Sequence, residues 1–387
     1  MNSYQTNVIV VGAGIAGLTS AIGLIAEGID VILLEKRARS ASAGTAVVLW
    51  PNGVKILQSL GMSDGLAAIG SPLLNVEVKS IEGASLGVTD VMAFSNDAKA
   101  PVYVVDRNQL KELLLSKLPG SSIHFSFSIE QVHSTPNNIK VISSVGDDLS
   151  AEILIGADGI NSVIRSQYFN KTPPRRLGVY DWMGITAAIP GISRQGTGLE
   201  FLGRGIRAGF MPLRDRHVYF RFTCALNSPP PKTESYVSFL KQIFSDGDKV
   251  IQWYLQQIQD SDITFVEESD IDPLSDWVNG RVCLVGDAAH AMTPALGQGA
   301  NQSLEDAYVL SKTLAAPDAS ASELLRNYCF FRNERANDIL IRSREKTKLF
   351  TRSRSALLDE WYDDMKNLSS KSAMKSLFDL VTNGPLR

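Results

Sequence analysis

The chain has 387 residues, 44% hydrophobic and 20% charged, which is ordinary globular composition with enough apolar material for two packed domains. Lys and Arg number 38 against 41 acidic residues, and a net charge of -3 offers no basic surface for nucleic acid or an anionic membrane. Three scattered cysteines (Cys224, Cys283, Cys329) form neither a disulfide framework nor a metal site and read as thiols in a reducing cytoplasm; the four histidines (His124, His133, His217, His290) do not pair at metal-ligand spacing, so no catalytic metal is expected.

Val8 to Val11 is a branched apolar run that enters Gly12-Ala13-Gly14-Ile15-Ala16-Gly17. A helix-compatible segment follows, then Asp30 to Leu34, ending on Glu35. Strand, glycine turn, helix and strand in this order hold a dinucleotide. Gly12 allows the tight turn, Gly14 lets backbone amides approach a pyrophosphate, and Gly17 lets helix and strand pack closely. The helix directs unpaired N–H groups at the phosphates, and Glu35 stands where a carboxylate accepts from a ribose diol. A membrane span or signal segment is the competing reading of the same apolar run. The clustered glycines, the second strand and the lack of a preceding basic region argue against it.

Ser40 to Ala46 reads as a loop, Val47 to Trp50 as a short strand, and Pro51-Asn52-Gly53 opens a helix that Gly61 ends. Residues 73–105 read as mostly β, in the runs LLNVEVKSI, GVTDVMAF and VYVV. Asp106 or Asn108 caps a helix carrying Leu110, Leu113, Leu114 and Leu118, with Arg107 in its first turn either solvated or functional. Ala151 to Ile155 leads into Gly156-Ala157-Asp158-Gly159 with Ser162 and Arg165 behind it, a strand-to-helix junction. Asp158-Gly159 is there either a plain turn or a ligand position at a strand's carboxyl end. From about 175 to 270 the chain is β-rich with aromatics, broken by Pro229-Pro230-Pro231 and by helical spacing over 234–259; this reads as a sheet with helices on one side that roofs the cofactor. Val282 to Val285 is a strand ending at Gly286-Asp287, and Gln302 to Leu314 is a helix. A long charged helix over 321–352 presents Arg332, Arg335, Arg342 and Arg344 as a solvated face, and the last thirty residues form a packed amphipathic tail.

Three segments occur in register: Gly12 to Gly17 with Glu35, Gly156 to Arg165, and Gly286-Asp287-Ala288-Ala289-His290 through Pro294 to Gly297-Gln298-Gly299. Together they resemble the class A flavoprotein monooxygenases, the family of para-hydroxybenzoate hydroxylase, over nearly the whole chain. The resemblance implies an α/β fold: a Rossmann-type FAD-binding domain over 1–72, 101–174 and 280–350, an inserted mixed-sheet substrate domain over 73–100 and 175–279, and a C-terminal helical tail over 351–387. It implies bound FAD, held by Gly12, Gly14, Ala16, Gly17, Glu35, Lys36, Arg107, Asp158, Asp287, Pro294, Gly297, Gln298, Gly299 and Ala300. Asp287 suits a ribityl hydroxyl, and the amides of 297–300 suit the flavin's pyrimidine edge, where negative charge develops on reduction. With no second glycine fingerprint, NADH or NADPH binds transiently, and O2 is the co-substrate. The implied chemistry is hydroxylation through a flavin C4a-hydroperoxide, in a cytoplasmic monomer or homodimer without an integral membrane segment.

Within the family the chain is similar to the FAD-dependent urate hydroxylases and their small-aromatic relatives, through Trp50-Pro51-Asn52-Gly53-Val54-Lys55, the spacing of Arg207, Met211-Pro212 and Tyr219, and the Trp361-Tyr362 to Gly384-Pro385-Leu386 tail. That similarity implies catalytic and substrate-binding roles for Arg207 and Tyr219. Asp181 stands where the urate enzymes have an asparagine before a tryptophan; its carboxylate would repel a urate anion and would accept from a phenol or amine. The expected substrate is a small hydroxylated aromatic or N-heteroaromatic compound. The alternatives are urate itself, a larger lipophilic or tetracycline-like substrate, or a flavin-binding redox sensor. His290 is read as packing and hydrogen-bonding near the flavin rather than as a base.

Overall fold

The structure is a computed structural model, and it describes residues 4–39, 44–135, 138–169, 171–230, 235–351 and 378–386. Its first sheet has eight strands, among them a row ordered Val278–Asn279, Val282–Leu284, Asp148–Gly156, Tyr4–Val11, Val31–Glu35 and Ile123–Phe125. Tyr4–Val11 pairs in parallel with both Asp148–Gly156 and Val31–Glu35, and Asp148–Gly156 pairs in parallel with Val282–Leu284. Ile9, Val10, Leu33, Leu154 and Ile155 are fully buried. Continuous apolar runs, rather than alternating ones, are what a parallel sheet covered on both faces selects. The helix Ile15–Ala26 packs against the helix Gly299–Leu314 so closely that a Cβ at Gly23 would stand 3.0 Å from the Ser311 hydroxyl.

The second sheet has seven strands, ordered Thr264–Asp270, Arg175–Ala187, His217–Ala225, Ile206–Pro212, Thr197–Leu202, Asn75–Ser80 and Ser85–Asp90. It is antiparallel except where Thr197–Leu202 meets Asn75–Ser80. Period two gives it two different faces. Tyr180, Trp182, Phe201, Phe210, Phe220 and Phe222 are buried in one core with residues of the helices Tyr236–Ile243 and Lys249–Gln257. The intervening residues Asp181, Met183, Glu200, Arg207, Tyr219, Arg221 and Thr223 occupy the opposite face. A third, small sheet orders Ala46–Leu49, Tyr103–Asp106 and Ser71–Pro72.

Several expectations are corrected. The run GVTDVMAF is a strand only to Asp90; Val91–Asp97 is helical, because the Asp90 carboxylate accepts the Ala93 N–H at 2.9 Å and caps it. The helical spacing expected within 234–259 is borne out as the helices Tyr236–Ile243 and Lys249–Gln257, divided where Asp248 caps the second by accepting from Val250 N–H at 2.8 Å. The arginines of the long helix Ala321–Thr351 do not form a solvated face. Arg332 is 1% exposed and bonds Glu305 at 2.5 Å and Asp306 at 2.8 Å. Arg335 and Arg344 are also drawn inward, onto Glu305 and Asp270, while Arg342 alone of the four stays exposed, paired with Asp338. Most of the C-terminal tail, Trp361-Tyr362 included, lies outside the described residues; of its last turn, Leu380 and Val381 are buried. No described helix is long and apolar enough to cross a membrane.

Candidate active site

Val11, Gly156 and Leu284 lie opposite one another in the parallel register, so the loops beginning at Gly12, Ala157 and Val285 leave one edge of the sheet together. Ligands in open α/β sheets bind at such carboxyl ends, where neighbouring strands lead away to opposite sides. Gly12 has φ +104°, and a Cβ on it would come 2.5 Å from the Ala157 carbonyl oxygen. A Cβ on Gly17 would collide with the Gly12 carbonyl at 1.9 Å, whereas a Cβ on Gly14 would meet nothing within 4 Å. The loop is therefore closed on its inner side and open on its outer side. Gly14 N-caps the helix behind it without any side-chain hydrogen bond. Glu35 is fixed beside this loop: its two oxygens accept from Ala13 N–H and Arg37 N–H, each at 2.8 Å.

The second loop is organised by Asp158. Its Oδ1 accepts from the Ser162 hydroxyl at 2.5 Å and its Oδ2 from Val163 N–H at 2.7 Å, so this carboxylate caps the helix Val163–Tyr168. Arg165, 4% exposed, donates to the Ala288 carbonyl at 3.0 Å and ties the second loop to the third. Burial lowers its pKa, opposed by the charges of Asp158 and Asp287. In the third loop Asp287 is exposed between buried neighbours, and a Cβ on Gly299 would stand 3.9 Å from its Oδ1. Gly297 takes the left-handed conformation, φ +61°, and the helix Gly299–Leu314 begins with no side-chain cap. The Trp50 indole N–H, buried and without a partner among the described residues, lies 3.1 Å from where a Gly297 Cβ would be.

An outward-open glycine loop, two helix N-termini without side-chain caps, an exposed carboxylate at a strand end and an orphaned indole N–H at the 297–300 turn fit a dinucleotide carrying an oxygen-rich ring at its far end. The Gln298 side chain does not share this edge. It turns inward, where its Oε1 accepts from Asn52 at 3.1 Å and Gln302 at 3.2 Å, so that only its backbone faces the loop. Lys36 and Arg107 are exposed; the Arg107 N–H donates to Thr45 O at 2.9 Å. His290 is fully buried against Trp277, and its Nε2 lies 2.5 Å from Asp306, whose Oδ2 also accepts the Gly286 N–H at 2.8 Å.

Between the 294–297 turn and the polar face of the second sheet is a cleft. Its lining includes Arg207, Arg221, Thr223, Glu268, Ala295 and Thr347. Arg207 is ion-paired with Glu200. Arg221 grips Asp181 with two bonds of 2.9 Å and reaches Glu268 at 2.7 Å, while the Thr223 hydroxyl donates to Asp181 at 2.7 Å. Asp181 thus stands behind Arg221, its charge matched, and is not among the residues that line the cavity. Tyr219 shares the face; burial, with smaller contributions from its charged neighbours, raises its pKa to about 12, and its hydroxyl lies 3.6 Å from the Met183 sulfur.

Burial pushes the Glu268 carboxyl up to about 8, reinforced by Asp181 and opposed by Arg221. On the long helix, beside Thr347, Lys346 is lowered to about 8 by burial and by Arg207, against the pull of Glu200. Reading outward by two from Tyr219 finds Arg221 and Thr223 in the sequence. No sequence signal identifies Glu200, Glu268 or Lys346, which meet the others only through sheet register and helix packing.

A family described as FAD binding domain matches residues 5–343. The chain is 28% identical over 381 residues to an FAD-dependent urate hydroxylase of Klebsiella pneumoniae, covering 98% of this chain and 99% of that one. It is 30% identical over 367 residues to a 3-amino-4-hydroxybenzoate 2-monooxygenase of Streptomyces cremeus, covering 90% and 89%. The fold superposes on Klebsiella pneumoniae HpxO complexed with FAD and uric acid with a TM-score of 0.93 at 27% identity, covering 99% and 98%.

Proposed function

From the premise that this chain belongs to the FAD binding domain family and is a class A flavoprotein monooxygenase, we propose that it hydroxylates a small aromatic or N-heteroaromatic ring bearing hydroxyl or amino groups. The observation that carries this reading is the cleft between Ala295 and the charged sheet face, where Arg207, Arg221, Thr223 and Glu268 converge. These two guanidinium groups, one hydroxyl and one carboxyl converge as the few placed polar groups of a small-molecule site do, and they suit a ring that carries charged or hydrogen-bonding substituents.

FAD, once bound along the three loops, supplies the capacity to take electrons from NADH or NADPH and pass one atom of O2 to the substrate. The protein's own contribution is placement. We assign FAD to Gly12, Gly14, Ala16, Gly17, Glu35, Asp287, Pro294, Gly297, Gly299 and Ala300, with Asp158 shaping its loop as a helix cap and Gln298 contributing backbone only. Lys36 and Arg107 would act from the solvent side. The segments 1–72, 101–174 and 280–350 would form the cofactor unit, and 73–100 with 175–279 the substrate unit. Arg207 holds an anionic substrate oxygen, Tyr219 keeps its proton and donates, and Asp181 positions Arg221. The relatives that act on urate and on 3-amino-4-hydroxybenzoate support this substrate class. The test is the oxidation of NADH and NADPH by FAD-loaded protein with urate, hydroxybenzoates, phenols and quinolones. Stimulation by at least one is expected, and stimulation by none rejects the reading.

A further inference from the structure

Six ionisable groups from six elements converge at the cavity: Arg207, Arg221 and Glu268 line it, and Asp181, Glu200 and Lys346 act on them. Asp181 comes from Arg175–Ala187, Arg221 from His217–Ala225 and Arg207 from Ile206–Pro212; Glu200 comes from Thr197–Leu202, Glu268 from Thr264–Asp270 and Lys346 from the long helix. Tyr219 and Thr223 are the neutral neighbours of this charge cluster. Asp181 is 1% exposed and Glu268 6%, and both are held by the single Arg221 guanidinium. One cation between two buried carboxylates leaves an uncompensated negative charge, which a low-dielectric site relieves by keeping a proton. Glu200 is matched separately by Arg207.

We infer that one proton is retained on the Asp181–Glu268 carboxyl pair, that the cavity consequently carries one net positive charge, and that it selects a monoanionic ring as substrate, with Glu268 as the specificity-determining residue. The count is direct: three cations (Arg207, Arg221, Lys346) face two ionised carboxylates and one neutral carboxyl. Loss of that proton makes the cavity neutral, and further loss of the Lys346 proton makes it negative. The elevated Glu268 and depressed Lys346, both near 8, agree with this geometry. The inference rests on the hydroxylase reading and refines its substrate class. It also removes the objection to urate, because Asp181 presents no uncompensated charge to a bound anion.

The sign follows from linkage. The protonated cavity binds the anion, so affinity is level below about pH 8 and falls above it, by about tenfold per pH unit for each group that titrates. The probes are urate and salicylate, neither of which titrates near pH 8, and the readout is the flavin absorbance change on binding to FAD-loaded protein. The wild type should lose affinity more steeply than tenfold per unit. E268Q, which cannot ionise, should lose the Glu268 share, and the E268Q/K346M double variant should show a nearly level profile. An E268Q profile identical to the wild type overturns the inference while leaving the hydroxylase reading intact. Binding of neither probe to the wild type counts against both. Calorimetry of wild-type protein in two buffers of different ionisation enthalpy gives a check without any variant. Urate binding just above pH 8 should take up protons, and binding without proton uptake contradicts the inference.

Discussion

At the scale of single residues, the glycines of the first loop and the arginine of the cavity have separable tasks. Gly12 combines φ +104° with a Cβ position 2.5 Å from a backbone oxygen, so Gly12→Ala should abolish FAD retention, seen as loss of the flavin spectrum in purified protein. Arg207→Ala should instead keep its flavin and lose substrate. A charge-assisted hydrogen bond contributes about 1.5–3 kcal/mol, so kcat/KM should fall roughly ten- to a hundredfold, most of it in KM. Unchanged kcat/KM would remove Arg207 from the site. The glycine positions were legible in the sequence because their spacing encodes a backbone geometry. The charge cluster was not, since Arg221 finds Asp181 and Glu268 at separations of 40 and 47 residues through strand pairing alone.

At the scale of elements, the long helix shows how charge pattern misleads. Its arginines recur as they would on a wet surface, yet Arg332 is buried against Glu305 and Asp306 of the preceding helix Gly299–Leu314. Burial alone would raise both acids. Arg332 and Arg335 on Glu305, and His290 and Arg332 on Asp306, more than offset it, and both carboxyls are held below the usual carboxylate range. Their stabilisation is therefore complete above the ordinary carboxylate pKa and is lost as pH falls toward the lowered values. Arg332→Met leaves two buried acids short of a partner. It should cost about 3–5 kcal/mol in denaturant unfolding near neutral pH, and that deficit should shrink as pH falls and the two acids protonate. A deficit that stays constant or grows toward acid pH would contradict this. The same region is tied to the loop that carries Asp287, because Asp306 also holds the Gly286 N–H ahead of it. A milder case is Asp158→Ala, which removes a helix cap. It should cost about 1 kcal/mol, read as a small drop in Tm, with a larger loss if Asp158 also touches FAD.

At the scale of the whole molecule, one sheet carries the three loops proposed to hold the cofactor and the other the charged face proposed to meet the substrate, and the cavity lies where the 294–297 turn meets that face. The sequence of the β-rich stretch foretold a sheet with helices on one side, and alternation along its strands puts the aromatics under those helices and the polar residues on the other face. What alternation could not give was register, and register decides which charges neutralise one another and which remain for a ligand. The central claim, that this chain places a small ring against bound FAD for oxygen transfer, is tested most directly with isotopically labelled O2. FAD-loaded protein is given NADH or NADPH and urate, 3-amino-4-hydroxybenzoate or salicylate, and the products are weighed by mass spectrometry. The account predicts a hydroxylated product carrying one labelled oxygen atom from at least one of these substrates. Flavin reduction that yields only hydrogen peroxide with all of them would contradict it.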